Sequence, residues 1–214
     1  MNRFEKLIKC MPMDYQSFTS KKSTWEKFLS KNNKTSVILF NLFKKNDEVE
    51  ISRKDLFKLA NSGDYETLVI AVILWGYPAG MRGNHFKNIT DKLDIVVSLL
   101  KEASNGITDW DSHYNATKSI QGLGLSTYTK FLYFINAKVN SFPCVILDKR
   151  IIDSINKSFL SGFYTLKGIN TGNAEKRYPD FLQLIDDFSK KYSASHGQVE
   201  MFIFEFGLNM KSDT

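Results

Sequence analysis

Ile120-Gln-Gly-Leu-Gly-Leu-Ser-Thr-Tyr-Thr-Lys-Phe-Leu-Tyr-Phe-Ile135, followed by Phe142-Pro-Cys-Val-Ile-Leu-Asp-Lys-Arg150, is the stretch on which the reading of this chain turns. Gly122 and Gly124 bracket Leu123 in a tight turn. A helix is expected from Ser126 to about Asn136, then an extended segment from Phe142 to Leu147 that contains Pro143 and ends in Asp148. A turn whose backbone amides approach a phosphate needs conformational freedom and no Cβ. The helix behind it aims its N-terminal amides and positive dipole end at the same place. Taken alone, the two glycines favour a plain helix–helix turn, and Asp is a preferred helix N-cap. It is the order of glycine turn, helix, proline segment and carboxylate that turns the stretch toward a binding or catalytic reading.

The rest of the chain bounds what that stretch can do. Its 214 residues, 43% hydrophobic and 14% aromatic, suffice for one packed domain or two small helical lobes sharing a cleft. A net charge of +6 suits an anionic partner without demanding one. Cys10 and Cys144 cannot build a disulfide framework or a four-cysteine metal site, and both are expected to be reduced. His85, His113 and His196 lack ligand spacing. There is no Walker loop and no dinucleotide fingerprint. The longest apolar run, Leu68 to Trp75, falls short of a membrane span, and Met1 to Met13 does not read as a secretory signal. The expectation is a cytoplasmic, nucleoid-associated monomer with no membrane partner.

Along the chain the pattern is mostly helical, with about nine helices expected. A capping box at Ser23-Thr-Trp-Glu26 would open a helix to about Lys31. Residues 35–50 fit a short hairpin or a short helix equally well, with Val37 to Phe43 apolar. Ser52-Arg-Lys-Asp55 caps a helix to about Asn61, and Asp64 caps one from Tyr65 to Trp75 that is apolar on every side and so fully buried. Gly76 to Asn84 reads as a loop. Thr90 is expected to cap a helix to about Ser104 that Gly106 ends, and Thr108-Asp-Trp-Asp111 to start a short one. Lys149 to Ser158 follows Asp148 as a helix, and residues 161–177 are expected to be irregular. Pro179 suits the first turn of a helix reaching Tyr192. The last helix spans His196 to Met210, with Glu200 among phenylalanines and needing a buried polar partner.

Taken together, the hairpin, the segment ending Ile-Leu-Asp148 and the Trp75-Gly-Tyr-Pro loop with its following Gly-Met-Arg resemble the helix-hairpin-helix/Gly-Pro-Asp DNA glycosylase superfamily. Within it the chain looks most like bacterial proteins of the 8-oxoguanine DNA glycosylase fold. The resemblance covers roughly the middle of the chain, and residues up to Ser52 take no part in it. It implies a mostly α, two-lobed helical fold, a single glycosylase-like domain over 1–214, and a helix-hairpin-helix with its Pro-Asp segment over 117–150. It implies double-stranded DNA as partner, gripped by Gly122, Leu123, Gly124 and Ser126, with Lys149 and Arg150 as further phosphate contacts. Leu123 would anchor the hairpin in the protein, and backbone carbonyls of Gln121, Gly122 and Gly124 would hold a monovalent cation. No other cofactor is implied, and an iron–sulfur cluster on four cysteines is beyond this chain.

The same resemblance makes Asp148 the catalytic carboxylate. Breaking an N-glycosidic bond leaves an oxocarbenium-like sugar, which a nearby carboxylate stabilises while it orients water. Members that also nick the strand carry a lysine early in the hairpin's helix. Aligned on Gly122 and Gly124, that position is Ser126, as in the monofunctional adenine-excising branch. Lys130 stands one turn further on the same face, as an alternative nucleophile or a phosphate contact. Trp75, Tyr77, Met81, Arg82 and His85 are candidates to wedge into the duplex or stack on an extruded base. A core tryptophan followed by a simple turn is the equal alternative. The expected activity is hydrolysis of a damaged or modified base, 8-oxoguanine or a modified base of foreign DNA as in antiviral defence. A non-enzymatic DNA-binding protein using the same hairpin is the alternative, and an RNA substrate stays open.

Overall fold

A computed structural model describes residues 4–29, 33–157 and 161–210. Its first elements are α1 (Glu5–Lys9), β1 (Ser17–Lys21), α2 (Lys22–Leu29), α3 (Lys34–Phe43), β2 (Glu48–Ser52), α4 (Arg53–Asn61) and α5 (Tyr65–Gly76). Then come α6 (His85–Thr90), α7 (Leu93–Ala103), α8 (Trp110–Thr117) and α9 (Leu125–Phe134). A minimal hairpin, β3 (Lys138–Val139) with β4 (Phe142–Pro143), leads to α10 (Lys149–Lys157), α11 (Ala174–Tyr192) and α12 (His196–Phe206). The described residues thus form twelve α-helices and two strand pairs, a mostly helical fold as expected, with more helices than the nine anticipated.

Helix α5 is the centre of one group of elements. Every residue from Leu68 to Trp75 is buried, and α3, α4, α7, α9, β1 and β2 all pack on it. A helix apolar on all sides has no face to give to water, so its neighbours must enclose it. Asp64 caps its first turn by accepting from the Thr67 amide, and Ser52 with Asp55 forms the capping box of α4, both as expected. A second group gathers on α12, where α1, α10 and α11 pack. There Ser195 and Gln198 form a capping box, and Val199, Phe202 and Ile203 are buried.

Three local expectations need correction, and the open choice at residues 35–50 is decided for a helix, each for a physical reason. The box at Ser23 does not open α2: the helix has begun at Lys22, straight out of β1, and the Lys22 amide donates to Asp47 O at 2.7 Å. The expected end at Lys31 lies outside the described residues. Residues 35–50 form helix α3, capped by Asn33 with Ser36, and then strand β2, which pairs antiparallel with the distant β1 (Phe18 opposite Ile51) rather than in a local hairpin. Thr90 does not cap a helix; it ends α6, and its hydroxyl donates back to Phe86 O at 3.0 Å. Pro179 lies inside α11, beyond its first turn. A proline there cannot donate to the carbonyl four residues back. That carbonyl, Glu175 O, accepts the Trp110 indole N–H at 2.7 Å instead, so tertiary structure fills the gap.

Candidate active site

The hairpin keeps the geometry its glycines suggest. Gly122 has φ +91°, and a Cβ on it would come within 2.8 Å of the His85 Cα and Cβ. It is therefore a glycine for two reasons, left-handed backbone and close approach of α6. Gly124 is different: it is the N-cap of α9 with ordinary extended backbone, and a Cβ there meets nothing within 4 Å. What it leaves open is the approach to the start of α9. The amides of Gly124, Leu125 and Ser126 donate to no described residue, while the Gly124 carbonyl is taken by the Thr127 and Tyr128 amides, both at 3.0 Å. Among the carbonyls considered for a cation, Gly124's is thus committed to the helix. Leu123 is buried and anchors the turn, its amide donating to Ile120 O at 3.1 Å.

The loop after α5 closes over this hairpin. Tyr77, Gly80, Met81, Arg82 and His85 form one wall of a groove of about 690 Å³, and Lys118, Gln121, Gly122, Gly124 and Ser126 form the other. Open helix amides and an exposed Arg82 make it suited to anions, while Lys118 pairs with Glu175 at 2.9 Å. Two motifs separated by some forty residues of chain therefore share one surface. Trp75 is the exception to the expected set: it is 3% exposed, packs edge-on against Phe18 and Phe134, and cannot reach out as a wedge. Its place is in the wall of a second, deeper cavity.

That cavity, about 270 Å³, opens beside the groove and shares Tyr77 and Ser126 with it. Phe18, Trp75, Tyr77 and Phe204 give it aromatic walls, and Asp148, Lys130, Arg53 and Glu200 give it charge. Asp148 is delivered by the apolar segment before it. Val145, Ile146 and Leu147 are buried, the Leu147 amide donates to Thr129 Oγ1 on α9 at 3.2 Å, and the Tyr178 hydroxyl of α11 donates to Val145 O at 2.8 Å. At the start of α10, Asp148 Oδ1 accepts the Ile151 amide at 3.0 Å. Its Oδ2 accepts no hydrogen bond from a described residue, so one oxygen caps the helix while the half-buried carboxylate also lines the cavity.

Lys130 comes to the same cavity from α9. It is 6% exposed, and its Nζ donates to Ser126 Oγ at 2.9 Å and Ser126 O at 3.0 Å and sits 5.5 Å from the centre of the Tyr77 ring. Its stem runs across Gly76, where a Cβ would lie 3.1 Å from Lys130 Cδ and Cε, so the last residue of α5 makes room for it. The Lys130 amine thus stands beside the Ser126 side chain, although the two residues are a turn apart in sequence.

The buried end of the cavity is an ion pair. Arg53, 1% exposed, donates from Nη1 to Glu200 Oε2 at 2.8 Å and from Nη2 to Oε1 at 3.4 Å. Its Nη1 also reaches the Tyr133 hydroxyl at 3.1 Å, and its Nε donates to Gln16 Oε1 at 2.7 Å. Burial disfavours the guanidinium charge, but the Glu200 carboxylate and the Tyr133 hydroxyl together outweigh it and hold the Arg53 pKa above its ordinary value. Burial pushes the Glu200 carboxyl up, and Arg53 pulls it back. The sequence reading anticipated a buried partner for Glu200; it missed Arg53, which stands in the capping box of α4, and Gln16, whose only signal was their later proximity in space.

Lys149 and Arg150 stand in solvent at the cavity's mouth. Lys149 pairs with Asp153 at 2.7 Å, and Arg150 donates to the backbone carbonyls of Phe204 and Glu205 at the end of α12. Burial raises the Cys144 thiol to about 12, so it stays protonated and unreactive. No group of three or more His, Cys, Asp or Glu able to hold a metal ion occurs among the described residues, and no described helix is long and apolar enough to cross a membrane.

A protein-family model described as "Putative 8-oxoguanine DNA glycosylase OGG-like protein" matches residues 12–204 of the chain. No curated protein and no solved structure matches it.

Proposed function

The chain belongs to the OGG-like family of 8-oxoguanine DNA glycosylase relatives, and from that membership and the cavity beside the hairpin we propose that it is a DNA glycosylase removing a modified base, 8-oxoguanine being the base the family's description names. The observation that carries the proposal is the joining of two spaces: an anion-suited groove over the hairpin, and an aromatic, charged cavity reached past Tyr77 and Ser126. A duplex backbone held in the groove leaves the cavity as the place for one extruded nucleotide.

Within that reading Asp148 is the catalytic carboxylate. As the bond between base and sugar breaks, its electron pair leaves with the base and positive charge gathers on the sugar ring. A fixed carboxylate at that point lowers the barrier, because its charge is in place before the reaction begins. Asp148 is held by its bond to the Ile151 amide and needs no reorganisation. Water then adds to the sugar, and its proton passes to the solvent or to the departing base. Lys130 supports a finer reading. Its amine lies beside Ser126 in the same cavity, so attack on the sugar carbon and strand cleavage through a Schiff base remain within its reach.

The test is a panel of duplexes, each with one modified base, incubated with wild type, Asp148→Asn and Lys130→Ala. Strand breaks that need alkali and vanish in Asp148→Asn are the expected result. Breaks without alkali, trapped by borohydride and lost in Lys130→Ala, would assign the lyase step to Lys130. Binding of every duplex with no Asp148-dependent product would overturn the glycosylase reading in favour of a DNA-binding protein.

A further inference from the structure

The excised base has to be read by something, and the buried end of the cavity offers a single uncommitted acceptor. Gln16 is used at both ends: its Oε1 accepts from Arg53 Nε at 2.7 Å and its Nε2 donates to Glu205 Oε1 at 3.2 Å. Arg53 spends its donors on Gln16, Tyr133 and Glu200. Glu200 is 0% exposed and lines the cavity, and among the described residues it accepts only from Arg53, once well and once at 3.4 Å. An ionised carboxylate offers about four lone-pair positions and no donor. Half of that capacity is unclaimed by the protein's own donors.

Resting on the glycosylase reading, we propose that Glu200 is the specificity-determining residue, its carboxylate accepting two adjacent N–H groups from the edge of a guanine-type base. The chemistry selects the edge. A pure acceptor pair wants two neighbouring donors, and guanine presents them at N1–H and the 2-amino group. Adenine sets an acceptor, N1, beside its amino group; cytosine sets N3 beside its own; thymine and uracil flank one N–H with two carbonyls. Each of these places a lone pair against the carboxylate and leaves acceptor facing acceptor. Phe18, Trp75 and Tyr77 line the cavity with aromatic surface for the base. Arg53 is a positioning residue: by gripping one side of Glu200 it fixes which lone pairs remain for the base. This edge is common to guanine and its oxidised forms, so Glu200 chooses the parent base and leaves recognition of the lesion to other contacts.

The experiment compares duplexes carrying 8-oxoguanine, 8-oxohypoxanthine (the same base without its 2-amino group) and adenine. Single-turnover base release is read with wild type and Glu200→Gln, and equilibrium binding with the Asp148→Asn protein and its Glu200→Gln derivative. Wild type is expected to favour 8-oxoguanine over 8-oxohypoxanthine by about ten- to a hundredfold, the worth of the one hydrogen bond to a charged acceptor that the missing 2-amino group removes. Glu200→Gln, which turns one acceptor into a donor, is expected to lose that preference and move toward adenine. Release of 8-oxoguanine and 8-oxohypoxanthine at equal rates by wild type overturns the inference and leaves the glycosylase reading intact. If wild type releases nothing, but Asp148→Asn binds the guanine-edge duplex preferentially and loses that preference with Glu200→Gln, the edge reading stands and the catalytic one falls. Thermal melting of Glu200→Gln controls for folding; should it not fold, the wild-type comparison of the three bases decides alone.

Discussion

At the buried end of the cavity a salt bridge is sealed from water, with Arg53 1% and Glu200 0% exposed; at its mouth Lys149 and Arg150 stand in solvent and Asp148 is half-buried. The inner pair is held from four directions, by α4, α9, α12 and the segment before β1, because a buried charge that lacks a partner is costly. The outer charges are held by neighbours within a turn of the same helix or by the carbonyl end of the next, contacts that water can replace. The difference teaches where rigidity is spent. The end that cannot tolerate a change is the one proposed to recognise a base, and at the mouth, proposed to face the DNA backbone, Lys149 and Arg150 are free to adjust around a fixed Asp148.

The sharpest way to break this comparison is to remove one member of the inner pair. Arg53→Met is expected to cost about 3–5 kcal/mol in denaturant unfolding, since it strands the Glu200 carboxylate. The double variant Arg53→Met with Glu200→Leu is expected to recover most of that loss. Lys149→Ala at the mouth should leave the unfolding midpoint unmoved. Equal effects at the two ends would refute the contrast.

Asp148→Asn tests the mouth in the opposite currency. Asparagine is also a good N-cap, so folding should be unchanged while base release falls by about a hundredfold or more. A large drop in melting temperature would make Asp148 a structural residue first.

The hairpin holds the same contrast in miniature. Gly122→Ala, strained by its positive φ and by contact with His85, is expected to destabilise by about 1–3 kcal/mol. Gly124→Ala, with open space around it, should fold normally and weaken duplex binding in a salt-dependent titration. The reverse order would mean that the groove is not the anion site.

The smallest effect lies away from both ends. His113 Nε2 is 2.6 Å from the Tyr128 hydroxyl, and burial holds the His113 pKa below its ordinary 6.5, with Glu102 opposing. Between the folded and unfolded pKa the unfolded chain binds the extra proton, so stability is full above about pH 6.5 and declines as pH falls through the folded pKa. Unfolding midpoints measured from pH 8 to 5 should show this decline, and His113→Gln should flatten it. An unchanged slope in that variant would assign the pH response to other groups.

Much of the mouth was legible along the chain because each of its parts is local. The glycine turn, the helix behind it and the carboxylate at a helix start are patterns that span a few residues, and the structure keeps all three in order. The capping boxes of α4 and the cap of α5 were legible for the same reason, as was the burial of a helix apolar on every side. Where local patterns misled, a distant partner had intervened: Asp47 at the start of α2, β1 opposite β2, and the Trp110 indole on the carbonyl that Pro179 leaves free.

The sequence by itself determined that this chain is mostly helical, that a glycine hairpin presents helix amides, and that Asp148 follows at a helix start; these depend on backbone freedom, capping and periodicity, which act over one or two turns. Packing alone made Trp75 a wall rather than a wedge, brought Lys130 into the cavity that Asp148 lines, and joined Arg53 and Glu200, 147 positions apart, at its buried end. The physical reason is that a buried charge imposes no pattern on its own neighbourhood in the chain. It demands a partner somewhere, and the packing of α4 and α12 around the cavity determines which residue that partner is.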